Sequence, residues 1–208
     1  MRSLSGATGL LAGAISYTLG VCALVGSGDM ALPTPCADWD LRMLLTHLSD
    51  SMADLETALR TGRLDLAQSD VARAPGGTGG DPVELLRDQA AALLYAAFGH
   101  SGAERFVAVG GLPMPAGLLT CTGAVEIAVH GWDVSTAIGG TGGAARPIPA
   151  ALATRMLGLC PLLVVGREGL FAAPVEVPAQ ASPADQLLGY LGRQPRNTPV
   201  EPNVVTGE

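Results

Sequence analysis

Apolar positions spaced three and four apart dominate the first half of the chain, with breaks where glycine and proline gather. Residues 4–25 place Leu4, Leu11, Ile15, Thr18, Cys22 and Val25 on one stripe, and Gly26-Ser-Gly-Asp29 ends that helix. Leu32-Pro-Thr-Pro-Cys36 is extended, because a residue before proline is pushed out of the helical region. Asp38 is then set to cap a second helix. Its stripe is the cleanest in the chain: Leu41, Leu44, Leu45, Leu48, Met52, Leu55 and Leu59. His47 lies about 100° from the centre of that stripe, on its rim, where a histidine is ordinarily structural or half exposed. Arg73-Ala-Pro-Gly-Gly-Thr-Gly-Gly80 reads as a loop. Asp81-Pro-Val-Glu84 opens a third helix, with a capping side chain, proline at the first helical position and Glu three after the cap. That helix runs to about Phe98, with His100 just beyond it as a surface residue.

Glycines and prolines make Glu104–Thr120 a loop, holding a short extended piece at Arg105–Val109. A fourth helix follows and stops at Gly139-Gly-Thr-Gly-Gly143. A fifth, strongly apolar, spans Pro149–Val165. Pro174–Ala181 is extended, and Ser182-Pro-Ala-Asp185 caps a short helix to Leu191. No internal repeat or second domain is visible. The pattern predicts an all-α domain over residues 1–194 and a Pro-rich mobile tail over 195–208.

The fourth helix carries the chemistry. Successive residues step by about 100°, so Glu126, His130, Asp133 and Ala137 fall along one line. Their neighbours are apolar on nearly every side, among them Val125, Ala128, Val129, Trp132, Ile127 and Val134. A helix with so little polar surface is buried, and a carboxylate and an imidazole inside it are costly without partners. Two readings fit: Glu126 and His130 share a metal ion from one turn apart, or they form a hydrogen bond on a solvated face.

Composition narrows the classes. The chain has 208 residues and a net charge of -7, with 48% apolar but only 4% aromatic residues, so small aliphatic side chains must fill the core of closely packed helices. All the basic residues are Arg, and Arg2, Arg60, Arg63, Arg73 and Arg105 are scattered, which leaves no footprint for nucleic acid. Cys22, Cys36, Cys121 and Cys160 lie far apart without a C-x-x-C pair, which suits a reducing cytoplasm better than a disulfide framework. The uncharged run from Ser3 to Ser27 is rich in Gly, Ser and Thr, and reads as the first helix of a bundle and not as a leader or membrane span. Its small-residue face suits a partner chain, a homodimer being the simplest case. Gly139-Gly-Thr-Gly-Gly143 follows a helix, where a dinucleotide fingerprint needs a strand before it, and no P-loop is possible without Lys.

Three segments resemble a known family. Pro33-Thr-Pro-Cys-Ala-Asp-Trp-Asp-Leu-Arg-Met-Leu-Leu-Thr-His47 is similar to the "TPC-x-x-W-(D/T)-V-x-x-L-x-x-H" segment of the mycothiol-dependent maleylpyruvate isomerase N-terminal domain, one of the DinB-like metal-binding bundles. Glu126-Ile-Ala-Val-His-Gly-Trp-Asp133 resembles its "E-x-x-V-H-x-W-D" segment. Ala181-Ser-Pro-Ala-Asp-Gln-Leu-Leu-Gly-Tyr-Leu-Gly-Arg-Gln-Pro195 resembles the closing "A-S-P-x-D-x-L-L-x-x-L-G-R-x-P" of single-domain actinobacterial members.

The resemblance implies a DinB-like four-helix bundle with extra short C-terminal helices, and a divalent metal, zinc above all, held by His47, Glu126 and His130. Two imidazoles and one carboxylate leave a coordination place open, as catalytic zinc requires. Such an ion keeps a thiol ionised at neutral pH, acidifies water or polarises a carbonyl. Asp133 would orient one imidazole from behind; its alternative is a surface carboxylate or a partner for a nearby Arg. Arg87 is the candidate for binding an acidic thiol or substrate, with a surface salt bridge as the alternative. Trp39 and Trp132 are expected to pack near the site. Cys36, at a helix start, is read as structural.

Maleylpyruvate isomerase proper has a further C-terminal domain, which is not expected within these 208 residues, so its reaction is not transferred. Three functions compete. The first is a cytoplasmic metalloenzyme activating a low-molecular-weight thiol, mycothiol, for transfer to or isomerisation of a small organic substrate. The second is a thiol-independent metalloenzyme tailoring a secondary metabolite as a lyase, cyclase or hydrolase. The third is a non-catalytic metal-binding or regulatory bundle.

Overall fold

The computed structural model describes residues 6–65, 80–99, 105–140, 145–163 and 172–195. Residues 73–79 of the expected loop, His100 and the tail beyond Pro195 lie outside them. Four helices make the bundle: α1 (Ala7–Cys22), α2 (Leu41–Thr61), α3 (Pro82–Gly99) and α4 (Ala116–Gly139). α4 packs against α1 and α2, and α3 closes the ring by touching α2 and α1. Two further helices, α5 (Ala150–Leu163) and α6 (Pro183–Tyr190), pack on each other, and α5 also lies against α1 and α4. The architecture is an all-α, DinB-like bundle with additional C-terminal helices.

The seven-residue stripe of α2 is buried along its whole length, as its periodicity predicts. α4 is apolar nearly all round and lies in the middle of the core, covered on most sides. Two glycines let its neighbours approach. A Cβ on Gly123 would collide with the Leu55 side chain, and one on Gly131 with Thr18. Thr18 uses that proximity to donate its hydroxyl to the Ile127 carbonyl at 2.9 Å. Leu55 meets Gly123 and Ser51 meets Glu126, so α2 and α4 run antiparallel. This pairing faces the polar line of α4 towards the rim of α2.

Two local expectations are corrected. Asp40, not Asp38, caps α2: its Oδ1 accepts from the Met43 amide at 2.8 Å. Asp38 instead sits at φ 66°, the left-handed region, and turns the chain into an isolated bridge between Pro33 and Asp40. Residues 104–120 are not simply a loop with one extended piece. Phe106–Val109 (β2) pairs antiparallel with Leu112–Pro115 (β3) and parallel with Arg63–Leu64 (β1). Gly110 and Gly111, both at positive φ, supply the two-residue turn that a twisted hairpin needs. α4 then begins at Ala116, directly after Pro115. This small sheet lies where α2 ends and α4 begins. No helix among the described residues is long and apolar enough to cross a membrane.

Candidate metal centre

His47 and the α4 pair meet. One ligand-type atom from each of His47, Glu126 and His130 lies within 4.8 Å of the others. His47 Nε2 is 3.4 Å from Glu126 Oε1, and the two imidazole centroids are 5.0 Å apart, edge to face. Donors around one tetrahedral ion at bonds of about 2.0–2.1 Å sit about 3.3 Å from one another. The His47–Glu126 pair already has that separation and all three donors lie within 4.8 Å of one another, so the set offers a divalent ion the right chemistry at near-ligand spacing. Solvent reaches the cluster: the His47 and Glu126 side chains are 36% and 35% exposed.

Glu126 is held by α2. The Ser51 hydroxyl, one turn beyond His47, donates to Oε1 at 2.9 Å. Burial pushes the Glu126 carboxyl up, but hydrogen bonds from His47 and Ser51 and the charges of both imidazoles outweigh it and hold it below the ordinary carboxylate range. Its carboxylate is therefore ionised and acceptor-only, as a ligand must be.

Behind His130 stands a polar knot. Asp133 is wholly buried, and His130 Nδ1 donates to its Oδ2 at 3.0 Å. Arg193 forks onto the same carboxylate, Nε to Oδ1 at 3.2 Å and Nη2 to Oδ2 at 2.9 Å. Burial alone would raise the Asp133 carboxyl; the bonds from His130 and Arg193 and the guanidinium charge lower it on balance. With Asp133 ionised, Nδ1 of His130 carries the proton of the shared bond, and Nε2 is the ring nitrogen that this bond leaves open. Asp133 is thus no surface carboxylate: it is buried, hydrogen-bonded to His130 and paired with Arg193, an arrangement that suits the orienting of that imidazole.

Cys36 joins this knot. Its thiol donates to Asp133 Oδ2 at 3.4 Å, lies 3.8 Å from His130 Nδ1 and accepts from Arg193 Nη2 at 3.7 Å. Cys36, His130 and Asp133 form a second group with ligand spacing. The guanidinium already satisfies that group, and burial followed by the Asp133 charge pushes the thiol up to about 11. Cys36 is a neutral donor here. The set with His47 and Glu126 is the better cradle for a cation.

Trp39 is where it was expected. Its ring lies 4.8 Å from that of His47, tilted at 56°, and 6.5 Å from that of His130, stacked at 29°. Trp132 is not. It points about 200° around α4 from His130 and lines a separate cleft with Pro147, Ile148 and Ala184. Arg87 is exposed on α3, where it opposes the upward push of burial on the Cys22 thiol, and no hydrogen bond or ion pair joins it to the cluster among the described residues. Among the described residues, Arg193 is the cation bonded into the knot behind His130. It stands in the closing "L-G-R" segment, the one signal by which it was legible. Ser51 had a signal too, one helical turn from His47 on the same rim.

A helical bundle with a His–Glu–His cluster open to solvent belongs, by fold and donor set, to the DinB-like class. Within it, the family model described as the mycothiol maleylpyruvate isomerase N-terminal domain matches residues 11–135, and the chain belongs to that family. Arg193 falls outside the matched span. No curated protein and no solved structure matches the chain.

Proposed function

We propose that this protein is a cytoplasmic metalloenzyme in which His47, Glu126 and His130 hold a divalent ion, zinc by donor type, and that it activates mycothiol for transfer to, or isomerisation of, a small organic substrate. The observation that carries the reading is the convergence of three ligand-type atoms from two helices on one solvent-reached point. Bound there, the ion supplies Lewis acidity, favouring the ionised form of a thiol or polarising a carbonyl. The chain's own residues do the rest. Ser51 fixes the carboxylate of Glu126. Asp133, itself neutralised by Arg193, keeps the proton of His130 on Nδ1. His47 stands at the mouth, and the exposure of its ring leaves an approach for a small molecule. Family membership supports mycothiol as the thiol.

Metal content of the purified protein, followed by thermal shift with mycothiol before and after chelation, tests this. The expected result is near-stoichiometric zinc and a mycothiol-dependent shift that chelation removes. An ion without any mycothiol response favours the thiol-independent metalloenzyme. No retained or added ion at all leaves the non-catalytic bundle.

A further inference from the structure

The two imidazoles of the centre are oriented by different means. His130 has the outer hydrogen bond that metal-binding histidines normally make, from Nδ1 to Asp133. Among the described residues His47 has none: its polar contacts, Glu126 at 3.4 Å and Ser51 at 3.5 Å, both involve Nε2, the atom on the cluster side. Among the described residues nothing hydrogen-bonds its Nδ1. Without that outer bond, a third-exposed ring on a helix rim is held about χ2 by its Nε2 contacts alone, and a bound ion would take that atom. What it does have is Trp39, whose indole lies 4.8 Å away and also reaches over His130. These separations fall in the range where aromatic rings attract and restrict one another.

The segment that carries Trp39 is itself rigid. The Thr34 hydroxyl donates to the Trp39 carbonyl at 2.9 Å, and the Thr34 amide to the same oxygen at 3.2 Å. The Trp39 amide donates to the Cys36 carbonyl at 3.1 Å, and the Leu41 amide to the Leu32 carbonyl at 2.9 Å. The left-handed Asp38 and the Pro33–Asp40 bridge complete a closed loop. Such a loop fixes a side chain at small entropic cost on binding.

We propose that Trp39 is a positioning residue of the metal centre: held by the Thr34-braced loop, its indole presets the His47 ring for coordination, the part that Asp133 plays for His130. The proposal rests on the metal reading above and deepens it. A flat aromatic side chain at position 39 is what the site needs, not apolar bulk alone. Trp39 is also close enough to both imidazoles for its emission to report their loading.

Zinc affinity, measured by competition with a chelating dye, is compared across wild type, Trp39→Phe and Trp39→Leu, with circular dichroism of the metal-free proteins as the check on folding. Trp39→Leu should weaken zinc binding about tenfold or more, the scale of losing an outer partner of a ligand, while Trp39→Phe stays within about threefold of wild type. Zinc should change tryptophan emission in wild type and not in Trp39→Phe, since Trp132 faces another cleft. Equal affinity in wild type and folded Trp39→Leu overturns the proposal while leaving the metal centre standing. So does an emission change that survives in Trp39→Phe. Absence of zinc binding in wild type removes the metal reading and this proposal together.

Discussion

The two helices that meet at the centre treat polar groups in opposite ways. On α2, His47 sits at the edge of a conventional apolar stripe, a third exposed, with water to solvate what its neighbours do not. On α4, Asp133 is wholly buried and His130 nearly so, inside a helix apolar almost all round. The rim residue meets one carboxylate, Glu126 at 3.4 Å, and keeps the rest of its ring at the surface. The interior carboxylate has three donors, His130, Arg193 and Cys36, two of them from distant parts of the chain. Charge is tolerated in the interior of this bundle only where partners have been brought to it. Cys22, at the buried end of α1, shows the other outcome: burial outweighs the lowering by Arg87 and pushes its thiol up to about 12, so it stays neutral.

Substitutions on the two helices should separate these regimes. The largest effect is on the ion itself. His130→Ala should abolish metal retention, and His47→Ala should do the same while leaving the metal-free fold within about 0.5 kcal/mol of wild type in urea titration, as for other half-exposed positions. Full occupancy in His130→Ala would refute its role as a ligand. Next comes Arg193→Ala, which strands the buried Asp133 carboxylate. Removing one member of a buried pair costs about 3–5 kcal/mol, so the same titration should show a marked drop in midpoint. A loss no larger than that of His47→Ala would erase the distinction between rim and interior.

The smallest effect concerns the neutral thiol. A raised folded pKa means that the unfolded chain releases the Cys22 proton first, from about pH 9 upwards, while the folded chain keeps it until about 12. The stability contribution is complete below pH 9 and declines as pH climbs through that window, by about 1.4 kcal/mol per unit. Cys22→Ala should therefore lose less stability between pH 8 and pH 10 than wild type does. Identical slopes would show that Cys22 does not carry the alkaline sensitivity.

Much of the fold was open to reading from periodicity. The α2 stripe from Leu41 to Leu59, the start of α3 at Asp81-Pro-Val-Glu84 and the Ser182 cap of α6 all stand where the pattern puts them. Local rules failed where two local signals competed. Asp38 and Asp40 are equally good caps by type, and the Pro33–Asp40 bridge selected the second. Gly110-Gly111 reads equally as an open loop or a hairpin turn, and only pairing with β1 and β3 decides.

At the centre, the chain alone determined the line of Glu126, His130 and Asp133, because helical geometry places residues three and four apart on one face whatever surrounds them. It marked His47 only through family likeness. Tertiary structure decided the rest: that Ser51 grips Glu126 across 75 positions, that Arg193 and not Arg87 reaches Asp133 across 60, and that Trp132 turns away while Trp39 stays. The reason is physical. Periodicity describes one helix and its own faces, whereas the partner of a buried charge is whichever group the packing of other helices carries to it.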